Sequence, residues 1–170
     1  MLESKALKRR ADTLLMLFVL IILSAASFEG FFVKWNFNGD DQRYSIQRML
    51  TEEADRPFVY MQLIPSLATG LCQALPDQYR EKLRANLEKH NFLSEDFRRT
   101  NIQSEYIIEY YLIYALSLLS LILSALLLRR LCLEFVCNPL AATLGAMLFV
   151  LLFPLLESGG GYFYDFTELM

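Results

Sequence analysis

Three long stretches of the chain carry no charged residue, and they constrain the fold more than any other feature. They cover residues 13–28, 110–128 and 135–156, and they are 16, 19 and 22 residues long. An α-helix needs about 20 apolar residues to cross roughly 30 Å of hydrocarbon, because it rises 1.5 Å per residue. The sequence therefore predicts an all-α polytopic membrane protein with three transmembrane helices.

The overall composition agrees with this prediction. Hydrophobic residues make up 55% of the chain, and the charged residues are gathered in a few segments. The formal net charge is −3, whereas a nucleic-acid partner requires a concentrated basic surface. We therefore expect the lipid bilayer as a partner and exclude nucleic acid.

The basic residues of the short segments predict the orientation, because positive charge in short loops marks the cytoplasmic side. Four Lys or Arg residues lie within the first 12 residues, and Arg129 and Arg130 open the short connection after the second apolar stretch. This arrangement suits a bacterial inner membrane. The predicted segments are a cytoplasmic tail (1–12), a first transmembrane helix (13–33), an extracytoplasmic helical loop (34–105), a second transmembrane helix (106–128), a cytoplasmic turn (129–137), a third transmembrane helix (138–156) and an extracytoplasmic tail (157–170).

The amino terminus also has features of a secretion signal, since basic residues, an apolar run and the small residues at 24–27 follow one another. Phe28, Phe31, Phe32 and Trp35 extend the apolar run beyond those small residues, as an aromatic belt at a membrane interface would. We therefore favour an uncleaved membrane anchor over a cleaved signal peptide.

The long loop contains one further apolar segment, residues 58–75. Gln62 and Gln73 are polar, and Pro65 interrupts helical hydrogen bonding. These residues favour a helix lying on the membrane surface, with a fourth membrane span as the alternative.

Acidic residues follow the first and third predicted helices on the same, extracytoplasmic side. Asp40 and Asp41 come shortly after the first helix, and Asp165 follows the third. Carboxylates at a membrane face can act as a general base toward a sugar hydroxyl, or hold a divalent cation that steadies a departing phosphate. The guanidinium of Arg43 can pair with such a phosphate. The alternative is that these acids only end the helices and keep their exits solvated.

The cysteine and histidine residues give little indication of a catalytic or metal-binding site. Cys72, Cys132 and Cys137 lack the spacing of a thiol oxidoreductase, and we interpret them as small apolar residues. His90, the only histidine, has no neighbouring cysteine or second histidine in the sequence, which argues against a histidine-based metal site or triad.

A stretch in the first outer loop, Arg56-Pro57-Phe58-Val59-Tyr60-Met61-Gln62-Leu63-Ile64-Pro65, resembles the R-P-F-x-Y-R-x-L-x-P stretch of bacterial polytopic glycosyltransferases of the GT-C class. It follows a first span, an acidic pair and a short amphipathic helix, in the order found in that class. The later G-G-Y-x-Y-D segment, residues 160–165, looks similar as well. The resemblance covers about residues 13 to 168.

The resemblance implies an inverting transfer of sugar from a lipid-phosphate donor at the outer face of the membrane. Asp40 or Asp41 would deprotonate the acceptor hydroxyl, and Asp165 would orient the acceptor or a metal ion. A divalent cation is the candidate cofactor, and a lipid-linked sugar is the expected partner. The residues expected to bind substrate are Arg43, Tyr44, Arg56, Tyr60 and Tyr164.

The chain departs from the class in two respects. Met61 stands where the pattern has an arginine, and this chain has three predicted spans where the class generally has seven or more. We therefore expect the chain to be the amino-terminal part of an enzyme, a split subunit or an inactive remnant. The alternative function is a non-enzymatic accessory or scaffold subunit that docks with other membrane subunits of an envelope complex, using small residues of the second and third helices. A channel or transporter is disfavoured because no charged residue interrupts a span centre.

Overall fold

The computed structural model describes residues 2–35, 37, 45–51, 53, 62–89, 103–135, 138–156 and 162, and within them it contains helices and no strand. The predicted all-α class is thus confirmed for this part of the chain. The helices are α1 (Leu2–Trp35), α2 (Ile46–Leu50), α3 (Leu63–Ala74), α4 (Asp77–Lys89), α5 (Ile107–Phe135), which a 3₁₀ turn (Ser104–Tyr106) precedes, and α6 (Pro139–Leu156).

Helices α1, α5 and α6 pack against one another as a three-helix bundle. Tyr114, near the start of α5, donates a hydrogen bond to Glu29 near the end of α1, so these two helices are antiparallel. Arg129, near the end of α5, donates to Thr143 near the start of α6. Helices α1 and α6 therefore run in the same direction, and α5 runs against both.

Two helices are long and apolar enough to cross a membrane, Ala11–Trp35 and Ser104–Phe135. Both continue beyond the predicted limits: α1 extends to Trp35 rather than residue 33, and α5 to Phe135 rather than residue 128. Helix α6 has 18 residues, a length of about 27 Å, and belongs to the shorter apolar helices. The structure therefore shows two helices of spanning length where the sequence predicts three spans.

The bundle buries several hydroxyl groups together with its aromatic and aliphatic core, and leaves many leucine side chains exposed on its outer surface. Only 22% of the most apolar window of α1 and 33% of that of α5 are buried, whereas the core helix of a water-soluble protein has most of its apolar residues buried. The buried hydroxyls are satisfied within their own helices, because Ser24 donates to the Leu20 carbonyl at 2.9 Å and Ser124 to that of Ser120 at 2.8 Å. The buried polar residues are Ser24, Ser117, Ser120, Ser124 and Thr143.

Helices α3 and α4 pack along the first turns of α5. Helix α3 has 12 residues, a length of about 18 Å, which is too short to cross the hydrocarbon core. It buries Ala68 and Cys72, while Leu63, Leu67 and Leu71 form an exposed stripe at every fourth residue. Helix α3 therefore has one apolar face against the protein and a second one uncovered.

Candidate functional site

All eight site residues predicted from the sequence lie outside the part of the chain that the structure describes. Their predicted roles therefore stay predictions. Described residues close to these segments in sequence nevertheless make contacts within the bundle. The eight are Asp40, Asp41, Arg43, Tyr44, Arg56, Tyr60, Tyr164 and Asp165.

A cluster of buried aromatic rings closes the end of the bundle where α1 and α6 finish and α5 begins. The Tyr114 ring lies edge-on to those of Phe28 and Phe32, with ring centroids 4.9 Å apart in both pairs. Such edge-to-face pairs are the favoured arrangement of aromatic rings, because the positive edge of one ring meets the negative face of the other. We call this group the aromatic cluster; its members are Phe28, Phe31, Phe32, Phe37, Tyr110, Tyr114 and Phe153.

Phe37 connects this cluster to the first predicted acidic segment. Its ring lies 5.1 Å from that of Phe32 and is almost fully buried. Its backbone has φ 53°, a left-handed conformation that is unfavourable for a bulky side chain. Burial of the ring among the other aromatic residues offsets this strain. The role of Phe37 is not predictable from the sequence, because no sequence pattern indicates a left-handed backbone conformation at a residue other than glycine or asparagine.

Residues beside the other predicted site segments reach the same hydrophobic core. Ile46 and Met49 of α2, which follow the first acidic segment, are buried in the core that contains the aromatic cluster. Gln62, at the end of the motif segment, donates from its side-chain amide to the Met49 carbonyl at 3.2 Å. Tyr162, three residues before Asp165, packs against the same core. Described residues beside all three predicted site segments are thus joined to the same hydrophobic core, directly or, for Gln62, through Met49.

A cleft of about 240 Å³ lies between α2 and α3 near Gln62. Amide and hydroxyl side chains can each donate and accept hydrogen bonds, which suits them to the hydroxyl groups of a sugar. The lining residues are Leu50, Gln62, Pro65, Ser66, Thr69, Gly70 and Gln73.

The carboxylate of Glu29 is partly buried between α1 and α5. The hydroxyl of Tyr114 donates to Oε2 of Glu29 at 2.7 Å, across the interface of α1 and α5. A charged group within an apolar helix is costly unless it is paired, so this hydrogen bond stabilises the helix pair. This hydrogen bond is not predictable from the sequence, because Glu29 directly follows a charge-free run and its charge only indicates where that run ends.

A second group of polar side chains lies where α3 and α4 meet α5. Cys72 is 2% exposed, and burial together with the neighbouring Glu109 carboxylate raises the pKa of its thiol to about 11. The thiol is therefore protonated at neutral pH and is not an activated nucleophile. This agrees with the interpretation of Cys72 as a small apolar residue.

Glu109 and Arg84 each carry a buried atom with no hydrogen-bond partner, Oε2 and Nε respectively. Arg84 is held in place by its Nη2, which donates to the Glu105 carbonyl at 2.9 Å. Among the described residues, no three His, Cys, Asp or Glu side chains come close enough together to hold a metal ion.

The small residues of α6 are largely used within the chain. Ala142 and Ala146 are buried, with exposed fractions of 1% and 0%, while Ala141 is exposed. A side-chain atom added at Gly145 would lie 3.8 Å from the Cys132 sulfur, which is ordinary van der Waals contact. Small residues at such positions let neighbouring helices approach closely, so Ala142 and Ala146 serve packing within the bundle.

Comparison of the chain with protein-family models, with curated proteins and with solved structures found no match.

Proposed function

We propose that this protein is an integral membrane protein whose helices α1, α5 and α6 cross the bilayer, and that it takes part in sugar transfer from a lipid-phosphate donor at the outer membrane face. The arrangement of hydroxyl groups inside and leucine side chains outside supports the embedding, because lipid tails solvate such an apolar surface and water does not. Helix α6, at about 27 Å, approaches the roughly 30 Å of the hydrocarbon core, which supports a third span.

The main support for the proposed activity is that residues beside the predicted acidic segments share one hydrophobic core. Phe37 and Tyr162 pack into the same hydrophobic core, and each lies three residues before a predicted acid, Asp40 and Asp165 respectively. Three residues of extended chain reach at most about 11 Å. These anchored neighbours support a site shared by the two acids.

The chemistry proposed for this site is a single displacement with inversion. The acceptor oxygen attacks the anomeric carbon of the sugar, and the bond from that carbon to the lipid phosphate breaks. Asp40 or Asp41 takes the hydroxyl proton, and the phosphate leaves with the bonding electrons. Arg43 stabilises the charge that develops on the phosphate, and a divalent cation, if held by Asp165, would supply further stabilisation of that charge.

The cleft between α2 and α3 supports a sugar substrate. Gln62, which lines it, belongs to the same sequence motif as Arg56 and Tyr60. The exposed stripe of Leu63, Leu67 and Leu71 on α3 fits a helix that lies on the membrane surface. A lipid-linked donor would then meet the cleft from the membrane side.

The test is replacement of both acids of the first segment, Asp40→Asn together with Asp41→Asn. Membranes containing the whole gene product would be incubated with a panel of radiolabelled polyprenyl-phosphate sugars, and labelled acceptor would be separated from donor. We expect the double variant to lose at least about a hundredfold in transfer, which is the lower range for removal of a general base.

The matched control is Asp77→Asn, because Asp77 is an exposed acid on α4 that pairs with Arg80. It should retain transfer. Membrane levels of all variants would be compared by immunoblot. Transfer that survives in the double variant at equal membrane level would refute the assignment, and absence of transfer in the wild type with every donor would favour the accessory-subunit alternative.

A further inference from the structure

A second cavity lies along the outer surface between α5 and α6, and the ring of its α6 residue Phe149 lies 6.4 Å from that of Phe153 in the aromatic cluster. It is a groove of about 550 Å³, a size within the roughly 300–1,000 Å³ of small-molecule sites. Leucine side chains and the Phe149 ring form most of its surface, and the buried Ser124 hydroxyl is already satisfied by the Ser120 carbonyl. The lining residues are Ser124, Leu127, Leu128, Arg130, Leu131, Glu134 and Phe149.

Two side chains of opposite charge, Arg130 and Glu134, lie among the residues that line this groove. Arg130 and Glu134 lie one turn apart on α5, with 3.2 Å between guanidinium nitrogen and carboxylate oxygen. Their side chains are 76% and 63% exposed, so each keeps most of its hydrogen-bonding capacity for another partner. Arg129, next in the chain, differs: its Nε donates to the Thr143 hydroxyl at 3.0 Å and is held toward α6.

This combination matches one class of molecule. An apolar groove accommodates an acyl chain, an arginine at its end binds a phosphate, and a carboxylate beside the arginine binds an ammonium group. A phospholipid with both charges, such as phosphatidylethanolamine, satisfies all three features. An anionic phospholipid satisfies two of them and places a negative headgroup beside Glu134.

We propose that the groove between α5 and α6 binds one ethanolamine-type phospholipid, with an acyl chain along Leu127, Leu131 and Phe149, its phosphate on Arg130 and its ammonium group on Glu134. This inference rests on the proposed membrane embedding and not on sugar transfer. The lipid would cover the outer surface of the α5–α6 pair, with its headgroup at the end of α5 that carries Arg130 and Glu134.

Native mass spectrometry of the whole chain, released from detergent micelles, tests the proposal directly. Phosphatidylethanolamine or phosphatidylglycerol with identical acyl chains would be titrated, and bound lipid counted by mass. We expect one phosphatidylethanolamine to bind about two- to fivefold more tightly than phosphatidylglycerol, which is the upper part of the range for one exposed ion pair. Glu134→Gln should remove this preference, while Arg130→Gln should weaken both lipids.

A pair of tryptophan variants tests the apolar part of the site. Leu131→Trp fills the groove and should reduce binding of both lipids, whereas Leu119→Trp, at a residue 49% exposed on α5 outside the groove, should leave binding unchanged. Arg80→Gln is the matched charge control, since the Arg80–Asp77 pair is remote from the groove. Fluorescence of Trp35, in the wild type and the charge variants, would verify folding.

Three outcomes would overturn the proposal. The first is equal affinity for the two lipids in the wild type, and the second is an ethanolamine preference that survives Glu134→Gln. The third is a lipid-free dimer that Leu131→Trp abolishes, since a second copy of the chain would then cover the groove.

Discussion

The hydrogen bond between Tyr114 and Glu29 permits a sharp test of the bundle. Tyr114→Phe removes only the hydroxyl and keeps the ring that packs 4.9 Å from Phe28 and from Phe32. A hydrogen bond to a charged group contributes about 1.5–3 kcal/mol in water-soluble proteins, while side-chain pairs between membrane helices average about 0.6 and reach about 1.7 kcal/mol. Because this pair is charged and partly buried, we expect Tyr114→Phe to lower the free energy of unfolding by about 1.5 kcal/mol.

The assay is equilibrium unfolding by dodecyl sulfate in mixed micelles, followed by fluorescence of Trp35. This is the only tryptophan of the chain, and it packs against the core that contains the aromatic cluster. Tyr79→Phe is the control, because Tyr79 is 64% exposed on α4; it should change stability by less than about 0.5 kcal/mol. A double-mutant cycle with Glu29→Met, which keeps the length but removes the acceptor, isolates the pair. A coupling energy of zero, or equal effects of Tyr114→Phe and Tyr79→Phe, would refute the reasoning.

Three further predictions use the same preparation. Phe32→Ala, at a fully buried ring, should lower the free energy of unfolding by about 3 kcal/mol, whereas Phe18→Ala, 61% exposed on the same helix, should have little effect; equal losses would contradict the assignment of inside and outside faces. Thr143→Val removes the acceptor of the Arg129 hydrogen bond and should cost about 0.6 kcal/mol, again read from Trp35 fluorescence. The pKa of the Cys72 thiol, raised from 9.0 to about 11, should make its alkylation at pH 8 about a hundredfold slower than that of an ordinary thiol. The stability that the protonated thiol contributes is full below pH 9 and is lost as the pH rises through about 11. Alkylation at the ordinary rate in the folded protein would show that the thiol is not buried.

The helical class followed from the sequence because charge-free runs of this length have few other solutions. The helix limits were less accurate, since charged residues such as Lys34 and Arg130 do not end a helix; they only mark where the apolar environment ends. Helix α5 therefore continues past Arg130 to Phe135. Helix α3, in contrast, starts only at Leu63, although the apolar segment was taken from residue 58.

The candidate site was also predictable only in part from the sequence. Motif resemblance selected the acidic and aromatic residues of the outer segments, but it gave no information on what fixes those segments to the bundle. Three contacts join these segments to residues outside them: the buried ring of Phe37, the packing of Tyr162 against the core, and the Gln62 hydrogen bond. Such contacts depend on how α1, α5 and α6 pack, and a pattern within a single helix does not encode them.

The proposed membrane embedding is tested most directly by cysteine labelling of intact cells with a membrane-impermeant maleimide, in a chain whose native cysteines are replaced by serine. The account predicts that Glu81→Cys on α4 is labelled from outside, that Glu134→Cys at the end of α5 is labelled only after the membrane is opened, and that Leu148→Cys on α6 is labelled only after denaturation. Labelling of Glu81→Cys and Glu134→Cys from the same side, or rapid labelling of Leu148→Cys in the native protein, would contradict it.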